Sequence, residues 1–152
     1  MSIRLQQKDP MTNSDVLVTV EGVAGYWSKM SGLSETISRA MFSDGSTNRK
    51  RHATSGSSEI AEVTISRPFD PDNADDQAAY EWAKSVRCGD PFQVQVRPVR
   101  RCDGVEQRGS KALFFYGCRL TKLEFMNSMD TGAGDNVVEL SVTYSVDDYD
   151  FT

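Results

Sequence analysis

One histidine, His52, stands in the whole chain of 152 residues. Proton-relay catalysis built on an imidazole needs that ring fixed on a rigid scaffold beside its partners. His52 lies instead in a long polar stretch, and no nucleophile elbow accompanies it. Cysteine is scarce too: Cys88, Cys102 and Cys118 stand at irregular spacing with no C-x-x-C pair. With His52 they match the ligand count of a Cys3His zinc site, but the close pairing of structural zinc ligands is missing, so no metal is expected. No run approaches the roughly 18 apolar residues of a membrane-spanning helix. The opening "MSIRLQQKDPMTNSD" has no apolar core of a signal peptide, so folding in a cytoplasm without membrane insertion is expected. A basic balance is absent as well: the net charge is −5, which argues against a generic nucleic-acid binder. Gly132-Ala133-Gly134 lacks the third glycine and the following helix of a dinucleotide fingerprint and reads as a hairpin tip. The acidic run Asp70–Asp76 is no EF-hand, because Ala74 and Asp75 stand where an oxygen ligand and the turn glycine belong. No catalytic residue and no cofactor emerge, and a non-enzyme is expected.

What the chain does have is β pattern. "DVLVTVEG" reads as a strand covered on both faces and ended by Gly22. "LSETISRAMF" is a less regular strand, and "EIAEVTISR" sets Ala61, Val63 and Ile65 on one side with Glu62, Thr64 and Ser66 on the other. "FQVQVRPV" alternates, Asp103-Gly104 and Arg108-Gly109 are turns, and "VVELSVTYSV" alternates cleanly. In "ALFFYGCRLTKLEF" the apolar phase changes between Leu120 and Leu123, which predicts a bulge or bend. A single helix is expected after Asn73, its N-cap. Asp75 and Asp76 fill the first turn, Lys84 and Arg87 the last, and Gly89 and Pro91 lie beyond. Ala78, Ala79, Trp82, Ala83 and Val86 recur at helical spacing and form its apolar face. The expectation is one domain over 1–152: an antiparallel β-sandwich or barrel with one flanking helix.

Between two of these strands lies "MFSDGSTNRKRHATSGSSEI", with Arg49, Lys50, Arg51 and His52 at its centre. It reads as a long polar loop over 43–58, far longer than a hairpin needs. Charge is also separated. From Leu123 onward there are seven acidic residues (Glu124, Asp130, Asp135, Glu139, Asp147, Asp148, Asp150) and no Lys or Arg. Basic groups gather at Arg49–Arg51 and at Arg97, Arg100, Arg101, Arg108 and Lys111. Separated charge of this kind suits head-to-tail pairing between copies.

The order of motifs over residues 15–150 resembles the tail tube proteins of contractile-tailed bacteriophages. "DVLVTVEGVAGYWSKMSGLS" matches their opening strand, short turn, aromatic residue and SGL segment, at Trp27 to Leu33. "EVTISRPF" stands where the family has I-T-L-x-R, before an acidic-capped helix carrying Trp82, and "VVELSVTYSVDDYDF" resembles its last strand. The resemblance implies a structural virion protein whose strands complete a barrel between subunits of a hexameric ring. Rings stack into an inner tube inside a contractile sheath and conduct DNA. Implied partners are further copies, the sheath, baseplate and tail-terminator proteins, the tape measure protein, and transient genomic DNA; the implied location is the virion tail, assembled in the host cytoplasm. It further implies an N-terminal arm at 1–14 and an inter-ring role for the 43–58 loop, carried by Arg49, Lys50, Arg51 and His52. Glu62, Thr64 and Ser66 are the lumen-lining candidates. The cysteines are either three free thiols or, in a tube, bridges between subunits, with Cys88 and Cys102 the preferred pair and Cys118 in the core. The inner tubes of type VI secretion and of contractile injection systems share the plan and are the alternative. A monomeric binding module with a basic loop is the alternative of another class.

Overall fold

The computed structural model describes residues 16–43, 45–46, 49–102, 105–125 and 137–152. The expected arm at 1–14, the turn at 131–136 and Asp103-Gly104 lie outside them. Alternating valines make β1 (Val16–Val20), with Val18 and Val20 buried. Trp27 bridges back to Val18 before the short β2 (Lys29–Ser31). β3 (Glu35–Ser43) and β4 (Lys50–Ile60) pair only with each other. Then come β5 (Val63–Pro68), α1 (Ala74–Ser85) with a 3-10 turn at Val86–Cys88, β6 (Phe92–Cys102), β7 (Val105–Arg108), β8 (Leu113–Phe125), β9 (Glu139–Ser145) and β10 (Asp148–Phe151). The main sheet runs β1-β6-β8-β9-β5-β2, with β10 on β8 and β7 on β6. It is antiparallel and curled into a half-barrel, in agreement with the expected class.

The curl has a local cause. β8 lies beside β6 and β10 over its first half and beside β9 over its second. Only Val146 and Asp147 separate β9 from β10, and the pairing Arg119↔Ser145 continues in register to Tyr116↔Asp148. β8 and β9–β10 are thus one long ribbon, bent in the middle and shared by two sheet halves. Gly117 sits at the bend with φ +64, and a Cβ there would collide with the Asp147 carboxylate, so only glycine fits. The register shift between Leu120 and Lys122 is the bulge that the apolar phase change anticipates.

Between the halves lie Val18, Val20, Val94, Val96, Phe115 and Cys118 against Val63, Ile65, Leu140, Val142 and Tyr144. The helix closes one side. Asn73 Oδ1 accepts from the Asp75 and Asp76 amides at 2.9 and 3.4 Å, as its N-cap role requires. Trp82 packs edge-on against Trp27 and Phe92, with centroids 6.3 and 5.0 Å away. Ala79, Ala83 and Val86 are buried, but Ala78, expected on the same face, is exposed. The buried stripe is rotated towards Asp76, whose carboxylate meets the Arg67 guanidinium at 2.7 Å. Arg67 also donates to the Ala24 carbonyl at 3.2 Å and lies 5.5 Å from the Trp27 ring centre. Gly25, at φ +88, leaves room for it: a Cβ there would stand 2.8 Å from Arg67 Nη2. One buried ion pair therefore ties together β5, α1 and the β1–β2 link.

Candidate assembly surfaces

The stretch expected as a loop over 43–58 is mostly strand. β3 and β4 form a hairpin arm paired from Glu35↔Ile60 to Ser43↔Lys50, with an irregularity between Arg39 and Met41. The sequence hid β4 because two-residue alternation records one buried face, and the described residues of β4 are exposed except for the half-buried Ala53 and Ile60. Arg49, Lys50, Arg51 and His52 are gathered at the far end, all exposed. Opposite them Met41 faces His52 and Phe42 faces Arg51. These two apolar side chains are 55% and 53% exposed, and Ile37 nearer the base 50%. The base is tied to the body by Ala61 N–H on the Ser34 carbonyl at 2.8 Å. There Tyr149 Oη also donates to Glu35 Oε2 at 2.8 Å, and this bond raises the tyrosine's pKa above its ordinary value.

A second surface is the polar face of β2, β5, β9 and the far half of β8. Thr64 lies beside Ser31 and Thr143, and Ser66 beside Lys29 and Ser141, with Lys122 and Glu124 of β8 next in line. The two threonine hydroxyls are 3.0 Å apart. Lys29 pairs with Glu139 at 2.8 Å and Lys122 with Glu124, so the band's charges are largely neutralised in place. Of the three residues expected to line a lumen, Thr64 is half-buried on this band. Ser66 is only 8% exposed, and Glu62 is exposed in the link ahead of β5.

The third surface is an edge. Among the described residues β10 pairs only with β8, so one side of it is open. Two of its amides, Tyr149 N and Phe151 N, donate to the carboxylates of the preceding Asp148 and Asp150 at 2.9 and 2.8 Å. Tyr116 and Phe151 flank this acidic edge, 38% and 51% exposed.

No family model matches the chain, and no curated protein matches it. Solved structures do. The sheath-tube complex of an extracellular contractile injection system superposes with a TM-score of 0.73 at 16% identity, over 94% of this chain and 91% of that one. The six-fold symmetrised baseplate of the anti-feeding prophage gives 0.71 at 12% identity, over 96% and 97%. The tail tube of SPP1 gives 0.58 at 14% identity, over 94% and 79%. This chain has the tail-tube fold.

Within that fold the cysteines divide sharply. Cys118 is fully buried and its thiol pKa is pushed up to about 12, chiefly by burial. Cys88 is exposed at the end of the 3-10 turn, and neither is bridged within the chain. Cys102 ends β6, and its side chain lies outside the described residues, as do those of Arg100 and Arg101. Asp130 and Asp135 lie outside them too. Arg97 donates to the Gly109 carbonyl at 2.7 Å and Arg108 to Tyr26 Oη at 2.8 Å. Among the described residues no group of three or more His, Cys, Asp or Glu could hold a metal ion. No described helix is long and apolar enough to cross a membrane. Sequence reasoning missed the Arg67–Asp76 pair; its signal was an arginine directly before Pro68 in a strand otherwise apolar on that face.

Proposed function

We propose that this chain is the inner-tube subunit of a contractile phage tail: hexameric rings stacked inside a sheath, forming the conduit for DNA ejection. One observation carries the reading, the tail-tube fold over nearly the whole chain with an exposed arm that has no buried face of its own. Six-fold rings are supported by the six-fold symmetry of a similar baseplate structure. The polar band around Thr64 and Glu62 faces the lumen in this reading. A neutral or acidic lining suits passage of DNA, because fixed cations would hold phosphates. Sheath, baseplate, terminator and tape measure proteins are its partners, and the tube is assembled in the host cytoplasm. The arm with Arg49, Lys50, Arg51 and His52 joins successive rings.

Negative-stain electron microscopy of the purified chain tests the reading. Rings or hollow tubes are expected, and a protein that stays monomeric at high concentration overturns it. A second reading, the tube of a contractile injection system, is favoured by TM-scores of 0.73 and 0.71 against 0.58 for the phage tail tube. Particles isolated from the natural source separate the two: a DNA-filled capsid on the tail marks the phage, and a closed cap without DNA marks the injection system.

A further inference from the structure

The arm ends in two kinds of group that nothing among the described residues satisfies. Met41 and Phe42 are more than half exposed, and Arg49, Lys50 and Arg51 form no ion pair with the described residues. The β10 edge of the body has the opposite character. It shows Asp148 and Asp150 towards its open side, with Tyr116, the cross-strand partner of Asp148, on the same face. The two surfaces cannot meet within one chain. Glu35 at the arm's base is bonded to Tyr149 in the middle of β10, and the extended strand carries Met41 about 20 Å away from that point.

We infer that the open edge of β10 is the receptor for the arm tip of a second copy. Arg51 pairs with Asp148 and Asp150, and Phe42, its cross-strand neighbour on the same face of the arm, covers Tyr116, the cross-strand neighbour of Asp148. Lys50, next along the strand, adds to the tip's positive charge. The carboxylates already occupy the Tyr149 and Phe151 amides, so the edge does not take up an added strand. The contact is made by side chains. It is heterologous, two different patches of the same molecule, so each copy gives an arm and receives one and the series propagates. Every arm base sits on the strand that receives the next arm. The inference rests on the tube reading only in taking the chain to polymerise.

Charge exchange tests it. Lys50→Glu with Arg51→Glu makes one variant, and Asp148→Lys with Asp150→Lys makes another. All four side chains are exposed, so both variants are expected to keep the wild-type circular dichroism and melting temperature. Each alone should lose assembly by at least tenfold in critical concentration, measured by sedimentation in low salt. Mixed in equal amounts, the acidic arm of one meets the basic edge of the other, and polymer should return. Wild-type assembly by either variant alone, or no polymer in the mixture, overturns the contact and leaves the tube reading standing. Loss with the arm variant but not with the β10 variant places the tip on another surface and also overturns it. A wild-type chain that never polymerises removes the contact and the tube reading together.

Discussion

At the scale of single residues, the most consequential side chains are ionisable groups held inside. Breaking a buried ion pair strands one charge, so Asp76→Asn is expected to lower stability by about 3 kcal/mol in urea titration. Arg67→Met together with Asp76→Leu should recover most of that loss, since no charge is then left buried. Cys118 sets a second expectation through pH. Its thiol ionises near 9 when free and near about 12 in the fold. Between those values the unfolded chain releases a proton that the folded chain keeps, so stability falls as pH rises. Cys118→Ala should flatten that fall between neutral pH and about pH 10.5. Tyr144, whose hydroxyl burial also drives upward, adds slope of the same sign. A disulfide reagent should label Cys88 at once and Cys118 only after denaturation.

At the scale of elements, the bent ribbon and the arm behave oppositely. Gly117→Ala meets both a left-handed backbone and the Asp147 carboxylate, and is expected to cost about 2 kcal/mol or more. Asp147→Ala should relieve part of it, so the two changes are not additive. The arm buries none of β3, and a lone two-stranded hairpin is marginal in water. Its amides should therefore exchange quickly in the monomer and become protected in assembled tubes, by hydrogen-exchange mass spectrometry. These elements also show what a reader of the sequence can see. The valines of β1, the Leu140-Val142-Tyr144 alternation of β9, the Asn73 cap and the bulge after Leu120 each leave a local mark, because one face is buried or one turn has fixed chemistry. β4 left none, since both faces of the β3–β4 hairpin are wet. Arg67 and Asp76 were visible singly as a strand residue and a first-turn acid. Their partnership spans two elements, and no spacing in the chain records it. The proposed contact would be hidden for the same reason, since Asp148 and Arg51 would meet only across copies.

At the scale of the whole molecule, charge is sorted so that the tip is basic and the far edge acidic, while the polar band of β5 and β9 pairs its ions internally. Replacing Arg49, Lys50 and Arg51 with Ser should leave the melting temperature unchanged and weaken assembly. Raising salt should weaken the wild type in the same way, because exposed charges beyond a Debye length are screened. Light scattering against ionic strength measures both. Assembly as ready as wild type in low salt would reduce those charges to solvation. Docked as proposed, the arm also governs how a polymer begins. Two isolated subunits must order two wet strands for one receptor, and that entropy is recovered only when further contacts close around the pair. A subunit arriving at an existing end finds several contacts at once. Starting is therefore slow and extension fast, so growth has a lag that preformed ends abolish. A solution of such subunits stays quiet until a template is present, and the template alone decides where a tube begins and which way it grows.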